Sequence, residues 1–375
     1  MTRPDVLIVG AGINGLSTAY WLAKAGKSVT VVERGRVPCE IASSSDHHRL
    51  IRTFYGPDAG YTARIPDAFT AWRAMWQDLG PEDRYFADRG ILSISQEPGD
   101  RPDQSRQTLD ALGMPYERID SQAEMDRRFP FLEPSNIAYA MLGPGGALMA
   151  DNILRDLADW LRKSGVTIQE QSPVEAVDPV NATVTLVGGA ELSADHVVVA
   201  AGVGLPKLTP WLDLSFAFNR SLILYADPPA HLAEAWANAP CWSSLGGDGE
   251  LWGMPPLRGL PAKLGSGALG RLDPSDSDRT MSADDMQAMR RAYVSRFKDA
   301  EAFTIRWGQA NYWTGTPSLD LLFSKQDRAY ALSACSGHGF KFGALTGRDV
   351  ADALTGAAPW QTVSDRIAGR SMAAA

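Results

Sequence analysis

The chain has 375 residues, 36 Lys+Arg against 44 Asp+Glu, and a net charge of −8. With 45% hydrophobic and 21% charged residues it reads as a folded protein rather than a disordered one. An acidic chain without a basic block excludes nucleic acid as a partner, and no run reaches the roughly 20 apolar residues of a membrane span, so no membrane partner is expected.

At about 150 residues per domain, the length suggests two domains. Cys39, Cys241 and Cys335 are far apart and odd in number, which fits a reducing compartment rather than a disulfide framework. They and the five histidines have no metal-ligand spacing, so no metal is expected. The N-terminal MTRPDVLIVGAG lacks the apolar core of a signal peptide, and a cytoplasmic location is expected.

Val6–Val9 is a short apolar run, as in a central parallel strand buried on both faces. Gly10-Ala-Gly12-Ile-Asn-Gly15 follows at once, then a helical stretch, LSTAYWLAKA, stopped by Gly26. Residues 28–32 (SVTVV) read as a second strand ending at Glu33. Residues 61–86 read as helical and aromatic-rich, and 89–95 (RGILSIS) as a strand. NILRDLADWLRKSG (152–165) is a strongly amphipathic helix. VTIQE, ATVTLV and HVVVAAG follow as β segments. Short β-like segments alternate with turns over 216–270, and 282–297 looks helical. YALSAC (330–335) is a late strand before SGHGFKFG and a closing helix, and the tail SMAAA reads as frayed.

The opening unit carries the first chemistry. Gly10 allows a tight turn, Gly12 close approach of backbone to a pyrophosphate, and Gly15 close packing of helix on strand. The helix N-terminus offers N–H groups and a positive dipole to phosphates. Glu33 can accept both ribose hydroxyls of an adenosine half, which argues against a 2′-phosphate. On this motif alone FAD and NAD both remain open. Strands of this kind at the start, middle and end predict a discontinuous domain. The fold expected is α/β (α+β): a Rossmann-like dinucleotide-binding domain with an inserted, mostly antiparallel-sheet domain. The first comprises residues 1–84, 146–215 and 320–375; the second comprises 85–145 and 216–319.

Ser43-Ser-Ser-Asp-His-His-Arg-Leu-Ile-Arg52-Thr-Phe-Tyr55-Gly is more specific. With VVVAAG, Gly253-Met-Pro-Pro-Leu-Arg-Gly-Leu-Pro-Ala-Lys263, Tyr312-Trp-Thr-Gly-Thr316-Pro and Ser336-Gly-His-Gly-Phe-Lys341-Phe-Gly, it resembles the D-amino-acid-oxidase-type FAD amine oxidoreductases. Within them the chain is similar to the monomeric sarcosine oxidase and N-methyltryptophan oxidase group over nearly its whole length. The resemblance implies FAD, held by Gly10, Gly12, Ile13, Asn14, Gly15, Glu33, Arg34, Ser43, Ser44, His48, Arg49, Val174, Ala201, Gly202, Gly337, Gly339, Phe340 and Lys341. A strand-glycine-helix element at 330–350 can independently aim a helix N-terminus at a flavin, where negative charge develops on reduction.

The resemblance further implies Arg52 and Lys341 as a clamp for a substrate carboxylate, an Arg fork and a compact Lys charge. It places Tyr55, Trp252 and Gly337 at the substrate cavity. Lys263 corresponds to the lysine that activates oxygen and Arg49 to an arginine near the flavin ring; these are the catalytic candidates. Hydride transfer from a neutral amine needs no strong base, so His47, His48 and His338 receive no such role. The expected partners are a small-molecule amine or amino acid and molecular oxygen, and the protein is expected to be a monomer or small homo-oligomer.

Three departures stand out. Asn311 occupies the position of the family's flavin-linking cysteine and cannot form a thioether, so FAD is expected to be non-covalent; Cys39 and Cys335 are the remaining positions for a link. Gly267 and Ser45 replace two histidines of the group, and Trp252 and Trp313 replace tyrosines. This implies a more apolar cavity, for which a bulkier N-alkyl or cyclic amino acid is as good a candidate as sarcosine. The expected reaction is oxidation of a C–N bond to an imine, with oxygen reduced to hydrogen peroxide. The alternatives are a dehydrogenase of the same fold with another acceptor, an NAD-dependent dehydrogenase using the first motif alone, and a non-catalytic flavoprotein.

Overall fold

Strand Val6–Val9 forms as its unbroken apolar run predicts, with all four residues buried. It lies inside a six-stranded sheet. Across that sheet the order is Leu322–Gln326, Ala329–Ser333, His196–Val199, Val6–Val9, Val29–Val32 and Thr167–Gln169. All neighbours are parallel except the Leu322–Gln326 edge, which is antiparallel. A computed structural model describes residues 3–133, 136–246, 250–273, 278–333 and 336–370. Cys335 and the SMAAA tail lie outside the described residues.

Alternation along the strands divides the core. Val6, Ile8, Val31 and Val198 pack against helices, including Leu16 and Leu22 of Ile13–Lys24 and Leu154 and Leu161 of Ala150–Lys163. Leu7, Val9, Val32, Val197 and Val199 face the other way, onto Ala182 and Val184. Val184 belongs to a three-stranded antiparallel sheet, Val174–Asp178, Thr183–Leu186 and Glu191–Ser193. Period-2 side-chain direction thus turns a continuous apolar run into the middle of a three-layer sandwich.

The closing helix, Gly339–Thr355, lies on the first helix. A Cβ on Gly343 would stand 2.5 Å from Ile13 Cγ1, and one on Gly347 would stand 2.5 Å from the Ser17 backbone. Two glycines four residues apart share a helix face, so the two helix axes approach closely there. That contact brings the N-terminal end of the closing helix near the glycine turn.

The remainder of the chain builds a nine-stranded sheet. Its long central pair, Ala217–Asp227 with Thr304–Gly315, is antiparallel over eleven registered pairs. Ala262–Ser266 and Leu251–Met254 follow, then Cys241–Ser244. Cys241–Ser244 pairs in parallel with Ile91–Ser95, which is followed by Tyr139–Gly143 and Glu117–Ile119. One sheet is therefore assembled from two separate stretches of sequence. A small sheet of Arg49–Arg52, Gly145–Leu148 and Phe86–Asp88 lies between it and the helical layer.

Candidate active site

Gly10 leaves its strand at φ +105, and a Cβ there would stand 2.5 Å from the Ala200 carbonyl oxygen. Glycine alone tolerates both constraints. A Cβ on Gly15 would overlap the Gly10 carbonyl. Glu33 pins the turn: its Oε2 accepts the Ala11 N–H at 2.8 Å, and its Oε1 accepts the Gly35 N–H at 3.1 Å. Ser44 Oγ accepts the Ile13 N–H at 3.0 Å.

A groove that opens to solvent runs from this turn. Gly10, Gly12, Ile13, Asn14, Glu33, Arg34, Ser43, Ser44, Val174, Ala201 and Gly202 all line it. Cys39, one of the two positions left for a covalent link, lines it too, and so do Ile41 and Lys207, which carried no sign in the sequence. Gly12, the N-cap of the first helix, has no side chain to cap it; Ser44 takes only the Ile13 N–H, and Asn14 Oδ1 is buried without a hydrogen-bond partner. A helix N-terminus open past its first N–H, an orphaned amide and a floor without Cβ atoms fit a dinucleotide diphosphate.

Arg49 and Arg52 sit three apart on one strand, an odd separation that directs them to opposite faces. Arg49 meets a buried cluster. Asp46, whose side chain has no exposure, accepts from Arg49 Nη1, from Lys263 Nζ at 2.5 Å, from Tyr225 Oη at 2.5 Å and from the His47 backbone N–H at 2.8 Å. Lys263 is fully buried on strand Ala262–Ser266 and also donates to the His48 carbonyl at 2.8 Å. Burial lowers the Lys263 ammonium to about 8, with Asp46 acting in the opposite direction. Burial by itself would raise Asp46, but Lys263 and Arg49 hold its carboxyl far below the usual carboxylate range. Burial pushes His48 down to about 3, so its imidazole is neutral; neither ring nitrogen has a partner. The Tyr225 ring lies between those of His48 and Trp307, at centroid distances of 6.0 and 4.6 Å. The Trp252 ring packs on Gly265 and lies 5.6 Å from Lys263 Nζ.

Arg52 faces a different set. Its Nη1 donates to the Ser243 carbonyl at 3.2 Å, and its Nε is buried without a partner. The Tyr55 ring centroid lies 5.3 Å from the Arg52 guanidinium and 5.4 Å from Lys341 Nζ. Lys341 is buried on the closing helix, and burial, followed by the Arg52 charge, holds its ammonium well below the ordinary lysine range. Tyr55 Oη is buried and unpartnered. Among the described residues neither Arg52 nor Lys341 is in an ion pair. Two basic side chains 289 residues apart in sequence therefore lie beside one aromatic ring.

The remaining predicted positions divide. Gly337, at φ +73, lies beside Trp313, and Gly339 opens the closing helix. The Phe340 ring stacks on Trp72 at 6.0 Å within the helical core, so its side chain faces away from the groove. Asp46 and Tyr225 were not singled out from sequence. No described helix is long and apolar enough to cross a membrane, and among the described residues no group of three or more His, Cys, Asp or Glu could hold a metal.

Residues 5–353 match the family model described as FAD dependent oxidoreductase. The chain is 24% identical over 365 residues to monomeric sarcosine oxidase of Bacillus sp. (strain NS-129), covering 94% of this chain and 93% of that protein. It is 22% identical over 353 residues to N-methyl-L-tryptophan oxidase of Yersinia pestis (strain Pestoides F), covering 92% of each. Among solved structures, L-proline dehydrogenase from P. horikoshii superposes with a TM-score of 0.83 at 18% identity, covering 97% of each chain. A glycine-turn groove fitted to a dinucleotide, and a family match that spans nearly the whole sequence, lead to one conclusion: the chain belongs to the FAD-dependent oxidoreductase family, and its cofactor is FAD.

Proposed function

We propose that the protein oxidises the C–N bond of an N-alkyl, cyclic or primary amino acid to an imine, with oxygen as acceptor and hydrogen peroxide as product. The observation that carries this reading is the pair Arg52 and Lys341. Two buried basic groups in no ion pair among the described residues, beside the unpartnered Arg52 Nε and Tyr55 Oη, suit a carboxylate brought in by the substrate.

In this reading residues 1–84, 146–215 and 320–375 bind FAD and residues 85–145 and 216–319 shape the substrate cavity. Gly10, Gly12, Ile13, Asn14, Gly15, Glu33, Arg34, Ser43, Ser44, Val174, Ala201 and Gly202 hold the adenine-dinucleotide half. His48, Arg49, Gly337, Gly339, Phe340 (through its backbone) and Lys341 adjoin the flavin half, and Asn311 leaves the cofactor non-covalent. FAD, when bound, supplies the hydride acceptor. Arg52 and Lys341 orient the substrate by its carboxylate, which as counter-ion favours a charged Lys341, and the positive charge of the clamp favours the neutral amine, the form from which hydride leaves. Neutral His48 leaves the chain without a strong base at this point, and the chemistry requires none. Tyr55 and Trp252 bound the cavity with aromatic surface and exclude water. Lys263 presents positive charge to oxygen as it becomes anionic, an effect strengthened by burial.

The test is an anaerobic absorption titration of the purified holoprotein with N-methyl, cyclic and primary amino acids. One of them bleaches the flavin band, and air restores it. Failure of every member of the panel to bleach the band overturns the substrate class. A bleached band that persists in air replaces oxygen with another acceptor.

A further inference from the structure

We propose that Asp46 is the positioning residue for Lys263: its carboxylate keeps that ammonium charged and aimed inside a site closed to water, and so governs the half-reaction in which electrons leave. This rests on the role given to Lys263 above.

The geometry is specific. Lys263 is fully buried, and water cannot solvate its charge. An isolated ammonium in such a place gives up its proton. The groups that face it come from four elements. Asp46, His47, His48 and Arg49 come from the turn and strand at 46–52. Tyr225, its register partner, comes from Ala217–Asp227, with its ring 6.0 Å from Nζ. Trp252 comes from Leu251–Met254. Asp151 stands more remotely at the head of helix Ala150–Lys163, paired with half-buried His47. Arg49 opposes the charge on Lys263, and His48 is neutral. Asp46 is the one buried anion in contact with Nζ among the described residues.

The same contact directs the side chain. An ammonium has three hydrogens. Asp46 Oδ2 and the His48 carbonyl take two of them, which leaves one N–H. Asp46 is itself fixed by Arg49, Tyr225 Oη and the His47 N–H, so the rotamer of Lys263 is set by an anchor that cannot swing away.

The experiment reads Lys263 directly. The chain has eight lysines, so holoprotein labelled at lysine 13Cε gives a simple NMR spectrum in which Lys263 is assigned by its absence in Lys263→Met. The wild-type signal is that of a charged lysine at pH 7. In Asp46→Asn its proton affinity falls tenfold or more, and Asp46→Glu, which keeps the charge, restores most of it. The rate at which air reoxidises the reduced holoprotein follows the same midpoint: in Asp46→Asn its pH profile moves to lower pH, while the anaerobic rate of reduction by substrate is unchanged. A neutral Lys263 in the wild type at pH 7 overturns the proposal, whatever the variants do. So does an Asp46→Asn protein that retains FAD and shows the wild-type midpoint. If instead the midpoint shifts as expected and Lys263→Met reoxidises at the wild-type rate, Asp46 still sets the charge, and it is the oxygen role of Lys263 that falls.

Discussion

Arg52 and Lys341 act from opposite ends of the sequence on one ring, Tyr55. A charge-assisted hydrogen bond to a carboxylate contributes about 1.5–3 kcal/mol, so Lys341→Met lowers kcat/KM by roughly 10–100-fold. Arg52→Lys keeps the charge and loses the fork, and a loss of similar size is expected because a guanidinium and an ammonium present different donors. Steady-state kinetics with a substrate found by the titration checks both; unchanged kcat/KM in either variant removes that residue from the clamp. Both residues stand out in the sequence as candidates because each sits inside a motif, and the structure brings both beside Tyr55. Asp46 stands in the same quoted segment, yet its task was hidden. Its partner Lys263 lies 217 residues away, and only pairing of Ala262–Ser266 with Ala217–Asp227 brings Lys263 and Tyr225 side by side over it. Nothing in local periodicity encodes that meeting.

The elements that the sequence made plain are those with one strong signal. Val6–Val9, Ile13–Lys24 and Ala150–Lys163 form close to where their patterns place them. Helix Arg101–Leu112 escaped notice because its stretch, RPDQSRQTLDAL, is mostly polar. It buries Pro102, Asp103, Ser105 and Thr108 along with Leu109, and hydrogen bonds such as Thr108 Oγ1 to the Gly56 carbonyl replace the apolar stripe. The predicted helix 282–297 ends at Ala292, and Tyr293 turns its hydroxyl to accept the Gly265 N–H at 3.1 Å. Residues 217–227, read as part of several short segments, are one long strand. At the level of elements the decisive contact is the closing helix on the first helix. Gly347→Ala places a methyl 2.5 Å from the Ser17 backbone, and overpacking of this kind costs about 1–3 kcal/mol. The expected outcome is a Tm lower by several degrees together with weaker FAD retention, read by calorimetry and by flavin release on dilution. Loss of stability with unchanged retention would mean that this contact supports the fold without shaping the groove.

For the whole molecule, the buried Asp46 links stability to pH. Its folded carboxyl titrates below the unfolded value, so its contribution is fully present above about pH 4 and is lost as pH falls through the lower folded value. Removing one partner of a buried ion pair costs about 3–5 kcal/mol, so Asp46→Asn is less stable than wild type by that order at neutral pH. The gap narrows below pH 4, as denaturant melts at a series of pH values would show; a constant gap across that range would contradict the linkage. The overall architecture was readable because the glycine turn and the late SGHGFKFG element each follow an inner strand of one sheet, although the sequence did not show how the intervening stretches join. The order of strands in that sheet has a consequence for how the protein comes into being. Its six strands are drawn from residues 6–9, 29–32, 167–169, 196–199, 322–326 and 329–333, and the helix laid against the glycine turn begins only at Gly339. A nascent chain emerging from the ribosome therefore carries the first strand, turn and helix for more than 300 residues of synthesis before their last partners exist. With Gly337, Gly339 and Lys341 beside the flavin as proposed, ribosome-stalled chains ending before Gly339 are expected to lose the flavin that the released protein holds, although their dinucleotide groove, lined by residues 9–208, is already complete.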